Sequence, residues 1–239
     1  MSSFQFKQFT IQQDRCAMKV GTDGVLLGAW ATVNHNPFSV LDIGAGTGLI
    51  GLMIAQRSNA EQVDAIEVDD DAYEQAVDNF ENSPWGDRLF CYHAGLDEFA
   101  EEMQNEEEYD LIVSNPPFYN EDYTTGDEQR DKARFTTSMP FDELAEATSV
   151  LLSDNGVFNV ILPYKEETPF IAIAKQFGLS PFKITRVKGT PETEIKRSLI
   201  AFKKQESETI ETDELIIEIT RHQYTPEYTA LTKDFYLKM

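Results

Sequence analysis

Sulfur, histidine and long apolar runs are scarce in this sequence. Its 239 residues include two cysteines, Cys16 and Cys91, and three histidines. Two thiols cannot build a multi-disulfide framework or a four-thiolate zinc centre, and they read as ordinary reduced thiols. His35, His93 and His222 lack metal-site spacing and matching Asp or Glu ligands, so no metal is expected. No stretch approaches the roughly 18 apolar residues that span a bilayer. The N-terminal MSSFQFKQFTIQQDRC lacks the basic-then-apolar order of a signal peptide. The expectation is a cytoplasmic monomer with no membrane partner. No serine or cysteine sits in a recognisable nucleophile motif. Bases are also scarce: 20 Lys and Arg face 42 Asp and Glu, for a net charge of -22. Taken alone, that balance argues against a protein that grips phosphates by counterion release.

What is present is enough apolar material for a core. Hydrophobic residues make up 41% of the chain, which excludes a disordered polymer, and the length suits one large domain. No internal repeat or Pro- or Gly/Ser-rich linker divides the chain, and Glu98 to Asp110 reads as a solvated acidic helix and loop. Short apolar runs alternate with helical patterns, the signature of a parallel sheet covered on both faces. Strands are predicted at Val40–Ile43, Gln62–Val68, Leu89–His93, Tyr109–Ser114 and Gly156–Leu162. Helices are predicted at Thr47–Gln56, Asp70–Asn82, Phe141–Leu152 and near Glu166–Phe177. The last strand-like segments, Phe182–Val187, Ser198–Phe202 and Leu215–Ile219, are not clearly separated by helices. The fold class is therefore α/β, a doubly wound Rossmann-like sheet, mostly parallel, with an antiparallel C-terminal hairpin. Residues 1–38 form an extension that packs onto the core at 39–239, all within one domain.

Asp42-Ile43-Gly44-Ala45-Gly46-Thr47-Gly48 joins a strand to a helix, and Glu67 ends the next strand. Glycines let the backbone turn sharply and approach a ligand, and a helix N-terminus offers N–H donors to an anion. An acid about 20 residues further on accepts hydrogen bonds from a ribose diol. The pattern is that of a nucleoside-cofactor site. Gly46 to Gly51 formally matches the dinucleotide fingerprint, but out of register, since Asp42 and Gly44 already occupy the end of the strand. A carboxylate at Asp42 repels a pyrophosphate and suits the ammonium of a methionine moiety, directly or through water. The loop resembles the first motif of S-adenosylmethionine-dependent methyltransferases.

Asn115-Pro116-Pro117-Phe118 follows the fourth strand, at the carboxyl edge where open α/β sheets bind ligands. An exocyclic or amide nitrogen is a poor nucleophile because its lone pair is delocalised. Two acceptors for its N–H groups aim that lone pair at a sulfonium methyl. The Asn115 side-chain oxygen and the Pro116 carbonyl provide them, the prolines fix the loop, and Phe118 offers a stacking face. No strong general base is needed, because the cofactor is cationic and carries a good leaving group. The two motifs together resemble amino-group methyltransferases that modify adenine N6, guanine N2 or glutamine amides.

Phe9 to Trp30, FTIQQDRCAMKVGTDGVLLGAW, narrows the family. It resembles the start of the bacterial tRNA1(Val) adenine-37 N6-methyltransferases, and the resemblance continues through the glycine loop, Glu67, the Asn-Pro-Pro-Phe loop and Arg134-Phe135, fading after about Phe202. The resemblance implies a tRNA partner and S-adenosylmethionine as cofactor. It also implies that Met18 to Asp23 folds over the cofactor, that Lys19, Thr22, Asp23, Asp42, Gly44, Gly46 and Glu67 line it, and that Asn115, Pro116, Pro117 and Phe118 hold the base. Lys19 also reads as a surface lysine and Asp23 as a helix cap. Relatives often place Asp where Gly95 stands, in contact with the cofactor adenine, which leaves that role to Asp97 or to backbone at Leu96. Guanine-N2 methylation of ribosomal RNA, glutamine-N5 methylation of a protein and non-catalytic nucleoside binding are the competing functions.

The acidity is confined to one stretch. Ala60 to Asp110 holds 18 acids and one base, Arg88. By contrast, Lys183 to Lys204 holds seven bases against Glu192 and Glu194. Arg130, Lys132 and Arg134 follow the substrate loop, and with Lys188, Lys196 and Arg197 they form a modest basic lip for RNA backbone.

Overall fold

Buried apolar runs flanked by helices set the architecture. A computed structural model of the protein describes residues 3–104, 108–117, 139–207 and 209–239. β1 (Ser3–Gln5) and β2 (Thr10–Gln12) form an antiparallel pair ahead of α1 (Thr22–Trp30). Then come β3 (Ser39–Ile43), α2 (Leu49–Arg57), β4 (Gln62–Glu67), α3 (Asp70–Glu81), β5 (Leu89–His93), α4 (Leu96–Met103) and β6 (Tyr109–Ser114). The second half holds α5 (Phe141–Leu151), β7 (Leu152–Pro163), a 3-10 turn at Tyr164–Glu166, α6 (Glu167–Gln176) and β8 (Ser180–Lys188). It ends with β9 (Ile195–Lys203), β10 (Glu211–Ile216), β11 (Glu218–Thr220), β12 (Gln223–Tyr224) and α7 (Pro226–Thr232).

The main sheet runs β10-β8-β9-β7-β6-β3-β4-β5. Only β9 opposes its neighbours, β7 and β8; the other pairings are parallel. The antiparallel hairpin is thus β8–β9, and β10 closes the edge beyond it in parallel with β8. Leu215–Ile219, read as one strand from sequence, is divided. Thr225 takes both carbonyls that would continue it, Oγ1 donating to Ile216 at 2.5 Å and N–H to Ile217 at 3.0 Å. The same Thr225 hydroxyl accepts from the Tyr228 N–H and caps α7.

Chain order reverses at β3: β4 and β5 build outward on one side, β6 and β7 on the other. This is the switch point where loops part and a ligand crevice opens. Alternation along the strands sends Val40, Leu111 and Val113 to one face, against α1 and α2, and Leu41, Ile43 and Ile112 to the other, against α4, α5 and α6. Phe6, Phe9 and Ile11 of the N-terminal extension join the first of these cores. Most of the acidic stretch lies on β4, α3, β5 and α4, which β3 separates from the Ser114 end of β6. Among the described residues no helix is long and apolar enough to cross a membrane.

Candidate active site

The glycine loop is built by what each residue cannot do. Gly48 has φ 75°, a left-handed conformation, so the helix starts at Leu49 rather than at Thr47 as the apolar pattern predicts. A Cβ at Gly48 would lie 2.5 Å from Phe80 Cε1, so only glycine lets α3 pack this closely. Gly48 also carries no side chain to cap α2. Asp42 supplies the cap from β3, its Oδ2 accepting from the Gly51 N–H at 2.9 Å. A carboxyl oxygen of the protein's own therefore occupies the helix N-terminus that a pyrophosphate takes in dinucleotide-binding folds. The loop amides are also spent internally: Gly44 and Ala45 donate to Ile66 O, Gly48 to Ala45 O, and Gly46 to Glu67 Oε2 at 2.8 Å.

Asp42 is fully buried, and its Oδ1 has no hydrogen-bond partner among the described residues. Burial pushes its carboxyl up to about 7, with the Glu67 charge adding to the shift and the Gly51 bond opposing it. An orphaned buried acceptor costs about 1–3 kcal/mol. Glu67 is also buried, with Oε1 accepting from the N–H groups of Val68 (2.9 Å) and Asp69 (3.0 Å). Three of its lone-pair sites are taken by backbone, so accepting both hydroxyls of a ribose requires Gly46 to yield its bond. The free thiols Cys16 and Cys91 are both pushed up to about 12, chiefly by burial and then by Glu67, and remain protonated at neutral pH.

The Asn-Pro-Pro loop is tied to the glycine loop by Ser114. Its buried Oγ donates to the Ile43 carbonyl at 3.0 Å, joining the ends of β6 and β3. Directly after it, Asn115 is half-buried, Pro116 buried and Pro117 half-buried. Phe118, Arg130, Lys132 and Arg134 lie outside the described residues.

The segment before α1 is pinned at several points. Lys19 Nζ donates to the Gln13 carbonyl at 2.6 Å, and the Val20 N–H to Gln13 Oε1 at 2.8 Å. Thr22, exposed, opens α1. Asp23 makes no cap; its Oδ2 accepts from Arg197 Nε at 2.7 Å. At α4, Leu96 is buried and Asp97 exposed, with Asp97 Oδ1 2.9 Å from where a Cβ on Gly95 would sit.

The basic segment is less basic in space than in sequence. Lys188 pairs with Glu214 at 2.9 Å, Arg197 with Asp23, and Arg186 with Glu167. Lys183 and Lys203 lie over the rings of Trp30 and Phe182 towards the amino edge of the sheet. Lys196 is exposed and makes no ion pair among the described residues. Counting only neighbours in sequence misses Asp23, Glu167 and Glu214, which the fold brings to these bases. Gln13 carries no motif and was not legible as a residue that pins the segment before α1. Among the described residues no cluster of His, Cys, Asp or Glu could hold a metal ion.

Residues 25–138 match the family model of the methyltransferase small domain. A tRNA1(Val) (adenine(37)-N6)-methyltransferase of Flavobacterium johnsoniae is 71% identical over 236 residues, covering 99% of this chain and 100% of its own. One of the same name from Flavobacterium psychrophilum is 66% identical over 99% of this chain and 100% of its own. Among solved structures, that of a predicted O-methyltransferase from Agrobacterium tumefaciens shares the fold, with TM-score 0.70 at 20% identity over 89% of this chain and 96% of that one. With two full-length relatives this similar, and a glycine loop and Asn-Pro-Pro loop joined at the switch point, the chain belongs to the tRNA1(Val) (adenine(37)-N6)-methyltransferase family.

Proposed function

We propose that this protein transfers the methyl group of S-adenosylmethionine to N6 of adenine 37 in tRNA1(Val). The observation that carries the reading is the Ser114–Ile43 hydrogen bond, which sets an amino-group-binding loop beside a loop whose buried acid lacks a cation. The cofactor, when bound, supplies an electrophilic sulfonium methyl. Asp42 Oδ1 accepts from the methionine ammonium. Glu67 holds the ribose, exchanging the Gly46 N–H for a hydroxyl. Asp97 accepts from the cofactor adenine, a role favoured over the Leu96 backbone because its carboxylate fills the space beside Gly95.

Residues 18–23, pinned through Gln13, lie over the cofactor, with Lys19, Thr22 and Asp23 lining it. Asn115 and the Pro116 carbonyl accept the two N–H bonds of the adenine amino group and orient its lone pair. Phe118 stacks the base, and water then takes the departing proton. In this reading the enzyme acts in the cytoplasm, as a monomer and without a metal, because the cofactor's own charge activates the methyl. Labelled S-adenosylmethionine incubated with unmodified tRNA, ribosomal RNA and protein fractions tests it. N6-methyladenine in tRNA is expected; label in N2-methylguanine or methylglutamine instead overturns the reading.

A further inference from the structure

We propose that Tyr164 is a stacking platform for an RNA nucleotide flanking the target adenine. The inference rests on the function proposed above. β7 is buried from Gly156 to Pro163, and the next residue, Tyr164, is 41% exposed. A tyrosine exposed at the end of a strand presents an apolar ring face on which a base can stack. β7 lies beside β6 in parallel, Val160 opposite Ser114. Tyr164 therefore stands at the same carboxyl edge as Asn115, one strand over.

The ring is held from behind. The Arg186 guanidinium lies 5.6 Å from its centroid. Arg186 is itself fixed, Nε donating to Glu167 Oε2 at 3.1 Å and Nη2 to Oε1 at 2.7 Å. Ser198 Oγ donates to the same carboxylate at 2.5 Å, and that side chain is only 6% exposed. A buried carboxylate doubly bonded to a guanidinium is a rigid support, and a cation behind an aromatic ring fixes the plane presented to solvent. The charge balance points the same way. Arg186, Lys188 and Arg197 at this edge are all ion-paired, so these three bases offer phosphate little grip. Stacking needs no net charge, and single-stranded loops are recognised by splayed bases stacked on aromatic rings.

Anisotropy titrations of a labelled anticodon stem-loop RNA, with calorimetry of S-adenosylmethionine, test the assignment. Tyr164→Ala should weaken RNA binding about 5- to 150-fold, the span expected for one stacked base, at low and high salt alike, with cofactor affinity unchanged. Tyr164→Phe and Tyr164→Trp should retain RNA affinity, since both keep a ring. RNA affinity of Tyr164→Ala within twofold of wild type, or a parallel loss of cofactor affinity, overturns the proposal. If wild-type enzyme binds the stem-loop but leaves no N6-methyladenine in tRNA, the function itself is wrong; if it methylates and the Ala variant binds normally, only the platform is.

Discussion

Arg197 Nε donates to Asp23 Oδ2 at 2.7 Å, tying the start of β9 to the first turn of α1 across 174 residues of sequence. Two residues that sequence assigns to different partners, RNA backbone and cofactor, are partners of each other. Each side chain keeps about a third or a quarter of its surface exposed, 33% and 27%, so the pair contributes modestly, on the order of 0.2–1 kcal/mol. Its larger effect is to hold α1 and the segment before it against the sheet.

Charge substitutions at neighbouring positions should therefore behave differently. In plots of log affinity for tRNA against log salt, Lys196→Glu should flatten the slope by about one or more. Arg197→Ala should leave that slope unchanged and lower the affinity for S-adenosylmethionine instead. A slope change at Arg197 equal to that at Lys196 would place its charge on a phosphate after all.

Asp42 sets a pH dependence. Its carboxyl is raised from 3.8 to about 7 by burial, so the folded state gains stability from it below pH 4 and loses that gain as pH rises through 7. Cofactor binding has the opposite sign, because the ammonium needs the ionised form. Calorimetric affinity for S-adenosylmethionine should be roughly eightfold weaker at pH 6 than at pH 7.5. Asp42→Asn should bind weakly with no such rise.

Asn115→Ala removes one of two acceptors that orient the amino group. The turnover rate should fall by at least about 100-fold, as for loss of a preorganised hydrogen bond at a reacting centre. Cofactor affinity should stay within about twofold, because Ser114 still anchors the loop to Ile43. Equal loss of both would mark the loop as structural.

Gly48→Ala adds a methyl that meets Phe80 at 2.5 Å in a left-handed backbone conformation. Denaturant unfolding should show a loss of about 2–4 kcal/mol. Adding Phe80→Leu should recover the steric part but not the conformational part, so the two costs separate in a double-mutant cycle.

Regular elements were legible because their signals are local. β3 and β6 end where Asp-Ile-Gly and Ser-Asn-Pro change the backbone's options, and the Ala72–Ala76–Phe80 spacing shows the buried face of α3. The glycine and Asn-Pro-Pro loops were legible because chemistry restricts their residue types. The helix cap from Asp42, the Ser114 tie and the pairing of Lys188 and Arg197 were not, since each depends on which strands become neighbours. The ion pairs of Lys188 and Arg197 were hidden for the same reason: sequence gives charges, and only the fold gives their distances.

Asn79, on α3 and buried, spends its whole side-chain amide on two other segments. Nδ2 donates to Gln12 O at 2.9 Å and Thr47 O at 2.8 Å, while Oδ1 accepts from Gln12 N at 2.9 Å. The N-terminal strand pair and the glycine loop thus share one anchor on α3. In native-state hydrogen exchange, Gln12 and the amides of residues 44–48 should form one cooperative unit, and Asn79→Ala should split it, letting the N-terminal strands fray while the central sheet stays closed.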